Sequence, residues 1–201
     1  MEKGFSQKEG IDYEETFAHV SGYSSIQTII SLAAEMDWRV HQMDVKTSFL
    51  NEVIDEEVYI EQPKGFYVDN RETRVCRLHR ALYGLKQEPR SWYSRIDSYL
   101  WEMGFQWSEV DHNMYILTSK VPLIPVLYVD DLFLIRDERL IGDCMSNLEV
   151  EFEMKDLGLM HYFLGLEVWQ RDGCFFIGQE KYVVEILKRF RIVIVSPCPY
   201  L

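Results

Sequence analysis

Two adjacent aspartates, Asp130 and Asp131, stand between two apolar runs, Leu123 to Val129 and Leu132 to Ile135. Like charges side by side repel, and each carboxylate loses water as flanking strands pack, so the pair is costly there unless something compensates. A divalent cation does so naturally. A third carboxylate, Asp44, lies near the end of another strand-like run, Trp38 to Val45. If that strand lies beside a hairpin tipped by Asp130 and Asp131, the three carboxylates converge, roughly 4–7 Å apart, on an oxygen-rich site suited to two Mg2+ ions, with Mn2+ as an alternative. Taken alone, Tyr-x-Asp-Asp (Tyr128 to Asp131) also fits a solvated turn whose aspartates accept backbone amides, and both readings stay open at this point.

The elements that must position these groups are legible in outline. A helix is expected from about Ser24 to Met36, where Ile26, Ile29, Ile30, Ala33 and Met36 recur at helical spacing behind the cap candidates Ser24 and Ser25. Residues through Gly10 read as irregular or extended, and Asn51 to Phe66 as an acidic loop with a short extended piece at Val58 to Ile60. Pro89 suits a helix's first turn, and Trp92, Tyr93, Ile96, Tyr99, Leu100 and Met103 continue it until Gly104. Met114 to Leu117 is a further apolar run. A helix ending near Phe152 follows Leu140, then a hairpin of His161 to Val168 with Cys174 to Ile177 turning at Asp172-Gly173, and a last helix from about Gln179 to Phe190.

The chain's 201 residues, 47% of them hydrophobic, suffice for one sizeable core. Met1 leads at once into Glu2, Lys3 and Gly4, which is no secretory leader, and the apolar run before Asp130 is too short and too soon charged to span a bilayer. An intracellular protein, cytoplasmic or nuclear and without a membrane role, is expected. Cys76, Cys144, Cys174 and Cys198 are widely spaced and read as reduced thiols rather than a zinc set. The net charge of −12 opposes binding to phosphate backbones. Between Arg71 and Arg95, however, seven basic residues face two acidic ones, with Tyr83, Trp92 and Tyr93 interleaved. Such a segment is either a solvated face or a contact for nucleic acid.

Longer motifs surround the aspartates. His41 to Asn51, Ala81 to Tyr93 and Tyr128 to Asp131 occur in that order, followed by Lys155-Asp156-Leu157-Gly158 and Tyr162 to Glu167. This series, from Lys3 to about Arg191, resembles the reverse transcriptase (RNA-directed DNA polymerase) domain of copia-type retrotransposon polyproteins. The resemblance implies an α+β fold: a right-hand polymerase palm, an antiparallel sheet packed with helices, joined to partial fingers over residues 1–191. Residues 192–201 form a divergent tail.

By that resemblance Asp44, Asp130 and Asp131 are the catalytic, metal-binding carboxylates. Phe49 falls where an aromatic gate lies beneath the incoming sugar. Lys86, Gln87 and Arg90 match the segment that contacts nucleotide and template, and Leu164 and Gly165 the turn that holds the primer end. The implied partners are an RNA or DNA template with its primer and deoxynucleoside triphosphates. No histidine base is required, so His19, His41, His79, His112 and His161 read as structural or surface residues.

Several positions depart from the family pattern. Of the basic fingers strand only Lys3 remains, Ala18-His19-Val20 replaces Ala-Pro-Val, and Gln27 and Glu88 replace an arginine and an alanine. Pro125 sits in the strand leading to Asp130, where only an edge or a bulge tolerates it. Phe190-Arg191 replaces Phe-Gly, and the thumb and ribonuclease H regions of a longer polyprotein are missing. Two functions are therefore weighed: an active polymerase domain, and a catalytically silent remnant that acts only as a folded or partner-binding protein.

Overall fold

The computed structural model describes residues 7–11, 13, 16, 22–45, 54, 57–63, 65–66, 74–82, 84–118, 122–136 and 141–192. In chain order the elements are α1 (Tyr23–Glu35), β1 (Arg39–Val45), β2 (Tyr59–Glu61), β3 (Val75–Arg77), α2 (Glu88–Glu102), β4 (Gln106–Trp107) and β5 (Tyr115–Ile116). There follow β6 (Ile124–Tyr128), β7 (Asp131–Arg136), α3 (Gly142–Phe152), β8 (Met154–Leu159), β9 (Tyr162–Phe163), β10 (Leu166–Arg171), β11 (Cys174–Gly178) and α4 (Glu180–Arg189). The fold is α+β, with all strand pairs between these elements antiparallel. Among the described residues no helix is long and apolar enough to cross a membrane.

A four-stranded sheet in the order β6-β7-β1-β8 carries the molecule. Its central strands alternate between two cores because successive side chains point to opposite faces. Met43 and Val45 of β1, with Leu132 and Leu134 of β7, pack on one face against Trp92, Ile96 and Leu100 of α2 and Leu148 and Phe152 of α3. On the other face Val40, Phe133 and Ile135 pack against Ile26, Ile29, Ile30 and Ala33 of α1 and against Phe163 and Val168. This double burial is why β7 reads as a continuous apolar run instead of an alternating one. Pro125 lies in β6, the edge strand, where its missing donor is tolerated.

Two sequence expectations are corrected. The N-cap of α1 is Gly22 with no side-chain cap, so Ser24 and Ser25, inside the helix, do not cap it. The stretch from His161 to Val168 is not one strand: Leu164 (φ +48°) and Gly165 (φ +81°) take left-handed conformations and turn β9 back on β10. Helix α4 lies where the sequence places it, with none of its residues fully buried. Strand β8, which carries Lys155 to Gly158, had not been anticipated as a strand at all.

The three-stranded sheet β11-β10-β9 is tied to β1 by one side chain. Gln170 of β10 accepts the Val40 amide (3.0 Å) and donates to the carbonyls of Val40 (2.9 Å) and Met160 (2.8 Å), completing a ladder edge that β8 leaves open. Arg39–Asp172 and Asp37 on the Gly173 amide support the same junction. Replacing Gln170 by Leu strands the Val40 amide and the Met160 carbonyl, so unfolding in urea is expected to lose about 1–3 kcal/mol, typical of unsatisfied buried polar groups.

Candidate active site

Two of the three carboxylates, Asp44 and Asp131, come opposite one another where β1 ends and β7 begins. In the β1–β7 register Val40 opposes Ile135, Gln42 opposes Phe133, and Asp44 opposes Asp131. Directly opposed residues share a face, so Asp44 and Asp131 stand side by side on the face that carries α1. Asp130 occupies the two-residue turn between β6 and β7, and its carbonyl accepts the Val45 amide at 3.2 Å. Among the described residues no group of three or more His, Cys, Asp or Glu side chains is arranged to hold a metal ion.

Electrostatics at this corner follow from the packing. The Asp131 carboxyl is held above the ordinary carboxylate range, chiefly by desolvation and further by the charges of Asp44 and Asp130. A hydrogen bond from Gln42 Nε2 to Asp131 Oδ1 (2.9 Å) works in the opposite sense. Lys155 of β8 opposes Asp44 on its other side, so a cation flanks the acidic row. In donor type alone, carboxylate oxygens are the ligands a hard divalent cation takes.

The turn itself is strained. Val129 has φ +54°, an uncommon conformation for a β-branched residue. It is held by Trp92, whose Nε1 donates to the Val129 carbonyl at 2.9 Å while the indole is buried in the core. Trp92, expected as a core residue, therefore also fixes the aspartate turn.

Around α2 the other expected residues divide. Gln87 is 1% exposed and accepts from Gln7 Nε2 at 3.0 Å, whereas Lys86 is exposed and Arg90 half-buried. Within the basic segment Arg77 pairs with Glu57 (3.0 Å) and Arg95 with Glu151 (3.2 Å), the latter also lying over Phe152. Leu164 and Gly165 line a cleft of about 310 Å³ with Tyr162, Gln179, Lys181, Tyr182 and Glu185. Phe49 and Arg71 lie outside the described residues. Sequence reasoning missed Gln42 and Lys155, whose only signal was the alternation that placed Gln42 on the face of Asp44.

The chain belongs to the reverse transcriptase (RNA-dependent DNA polymerase) family in its copia-type retrotransposon branch, the family model matching residues 1–199. It is 40% identical over 200 residues to the Retrovirus-related Pol polyprotein from transposon TNT 1-94 of Nicotiana tabacum, covering 97% of this chain and 15% of that protein. It is 36% identical over 197 residues to the corresponding polyprotein from transposon RE1 of Arabidopsis thaliana, covering 97% of this chain and 13% of that protein. A transposon Ty5-1 protein of Saccharomyces cerevisiae is 36% identical over 146 residues, covering 71% of this chain and 47% of that protein. No solved structure matches the chain.

One departure from the family pattern now has a physical description. Glu88 is 4% exposed; its Oε2 accepts the Gly84 amide at 2.8 Å, while its Oε1 has no hydrogen-bond partner among the described residues. Burial, above all, lifts its carboxyl above the ordinary value of 4.5, with the Asp130 charge adding to the rise. A folded-state pKa above the unfolded one means that the unfolded chain ionises first as pH rises. Glu88 therefore withdraws stability from about pH 4.5 upward. Glu88→Gln, which keeps the size and an acceptor for Gly84, is expected to unfold at higher urea concentration than the parent at pH 7, with the difference vanishing by pH 4.

Proposed function

We propose that this chain is an RNA-directed DNA polymerase domain whose Asp44, Asp130 and Asp131 bind divalent cations for nucleotidyl transfer. The observation that carries the reading is the β1–β7 register, which sets Asp44 against Asp131 beside the Asp130 turn. Two Mg2+ ions, or Mn2+ in their place, when bound there supply the charge that acidifies the primer 3′-hydroxyl and neutralises the departing pyrophosphate. The protein's part is to hold the carboxylates ionised and close together, and to orient primer and nucleotide around them. Lys86, Gln87 and Arg90, at and before the start of α2, are assigned to the nucleotide and template, and Leu164-Gly165 to the primer end. Template, primer and deoxynucleoside triphosphates are the partners this reading requires.

A direct test is extension of a DNA primer on an RNA template by the purified chain with Mg2+. Weak, non-processive extension is expected, because the net charge of −12 opposes binding to primer and template, and Asp130→Asn should lower its rate by at least about 100-fold, since even partners standing behind metal ligands are worth 10–100-fold. Absence of extension under Mg2+ and Mn2+ alike, with the protein folded, would leave the silent remnant as the better account.

Phe49 follows Asp44 by five residues and is assigned to the sugar of the bound nucleotide. A steric gate and a core residue respond differently to truncation. Phe49→Ala is expected to raise ribonucleotide incorporation relative to deoxynucleotide in the same extension assay. A parallel fall in both rates together with lowered stability would make Phe49 a packing residue.

A further inference from the structure

Gln42 is 7% exposed, and it sits two residues before Asp44 on the same face of β1. A buried primary amide needs partners, and this one reaches diagonally across the sheet to Asp131, two residues from its own register partner Phe133. The bond is directional: Nε2 donates to Oδ1 at 2.9 Å, and an amide oxygen in that place would face a carboxylate oxygen. Among the described residues it is the hydrogen bond that Asp131 makes.

The residue type matters because of what it does not do. A lysine or arginine at position 42 would also donate to Asp131, but its charge would cancel negative charge that a cation needs. A neutral amide donor fixes the carboxylate's rotamer and adds no charge of its own. It takes one lone pair of Oδ1 and leaves Oδ2 without a hydrogen bond among the described residues.

We propose that Gln42 is a positioning residue of this site, its amide holding the Asp131 carboxylate in the one orientation in which it meets a divalent cation. The inference rests on the polymerase reading of the carboxylates, and its test separates the two. Mn2+ binding to the full chain is measured by electron paramagnetic resonance for the parent, Gln42→Met, Asp131→Asn and the double variant, with urea unfolding of each as the control for folding. Gln42→Met preserves the side chain's length and removes its donor.

Mn2+ affinity is expected to fall about 10-fold or more in Gln42→Met, the range for partners that orient a metal ligand. In the Asp131→Asn background the same change should have no further effect, because Gln42 acts through Asp131. A merely structural role would shift the unfolding midpoint and weaken both backgrounds alike. Unchanged affinity in Gln42→Met, or an equal loss in both backgrounds, overturns the positioning role while leaving the carboxylate site standing. Parent binding insensitive to Asp131→Asn and Asp44→Asn overturns the site and the inference with it. Should Gln42→Met fail to fold, Gln42→Asn, which retracts the amide by one methylene, carries the same expectation.

Discussion

The register of β1 against β7 is the constraint on which the acidic corner depends. It is set by apolar residues well removed from the chemistry. Val40 must meet Ile135 on one face while Met43 and Val45 enter the core on the other, and a slip of one residue would exchange the two faces. Each of these side chains contributes on the order of 1.5–3 kcal/mol by leaving water. Asp44 and Asp131 repel one another, so their juxtaposition is imposed by the core and not chosen by the carboxylates. The sheet is rigid because both its faces are covered, and that rigidity is what keeps like charges together.

Departures from local rules gather around the same corner. Val129 holds a left-handed conformation at φ +54°, Asp131 is desolvated among like charges, and Glu88 buries a carboxyl with one oxygen that has no hydrogen-bond partner among the described residues. Strain of this kind persists only where the surroundings over-determine it. Here Trp92 does much of that work, anchored in the core beside Phe152 (5.5 Å between ring centres) while its indole N–H holds the Val129 carbonyl. Gln42 acts on the opposite side of the turn, through the sheet. One support comes from a helix and the other from a strand, so the turn is fixed from two directions.

Periodicity made the helices α1 and α2 and the strands β1, β6 and β7 legible, since their apolar residues face cores that the sheet itself creates. It failed where pairing supplies what pattern lacks. Strand β8 contains Lys155, Asp156 and Gly158 and shows no apolar alternation, yet it forms because the edge of β1 offers it a ladder. The break at Leu164-Gly165 did not show in the apolar pattern, which reads as one strand, but it falls at the turn that the family resemblance implies. Ser24 and Ser25 look like caps, but they lie inside α1, whose N-cap is Gly22, and the Gly22 amide bonds Asp111, a residue far away in sequence. The hairpin that carries Asp130 and Asp131 was legible because two apolar runs flank the pair. Gln42 was not, because a glutamine in an alternating strand carries no chemical signal until its partner, 89 residues away, is seen beside it.

Stability and function can be told apart by asking which costly residues lack a structural return. Arg191 takes φ +55° where a glycine would pass without strain, and Glu88 buries charge where an alanine would bury none. Both are departures from the family pattern, and both weaken the fold without bringing groups together. The aspartates also weaken it, since Asp131 would pack beside Asp44 at lower cost as an apolar residue. Their cost differs in kind: it falls at one point, on one face, where the sheet register sets Asp44 against Asp131 and a buried amide donates to Asp131. Like charges held opposite one another have no account in packing. An opposite charge brought to that point would offset their repulsion.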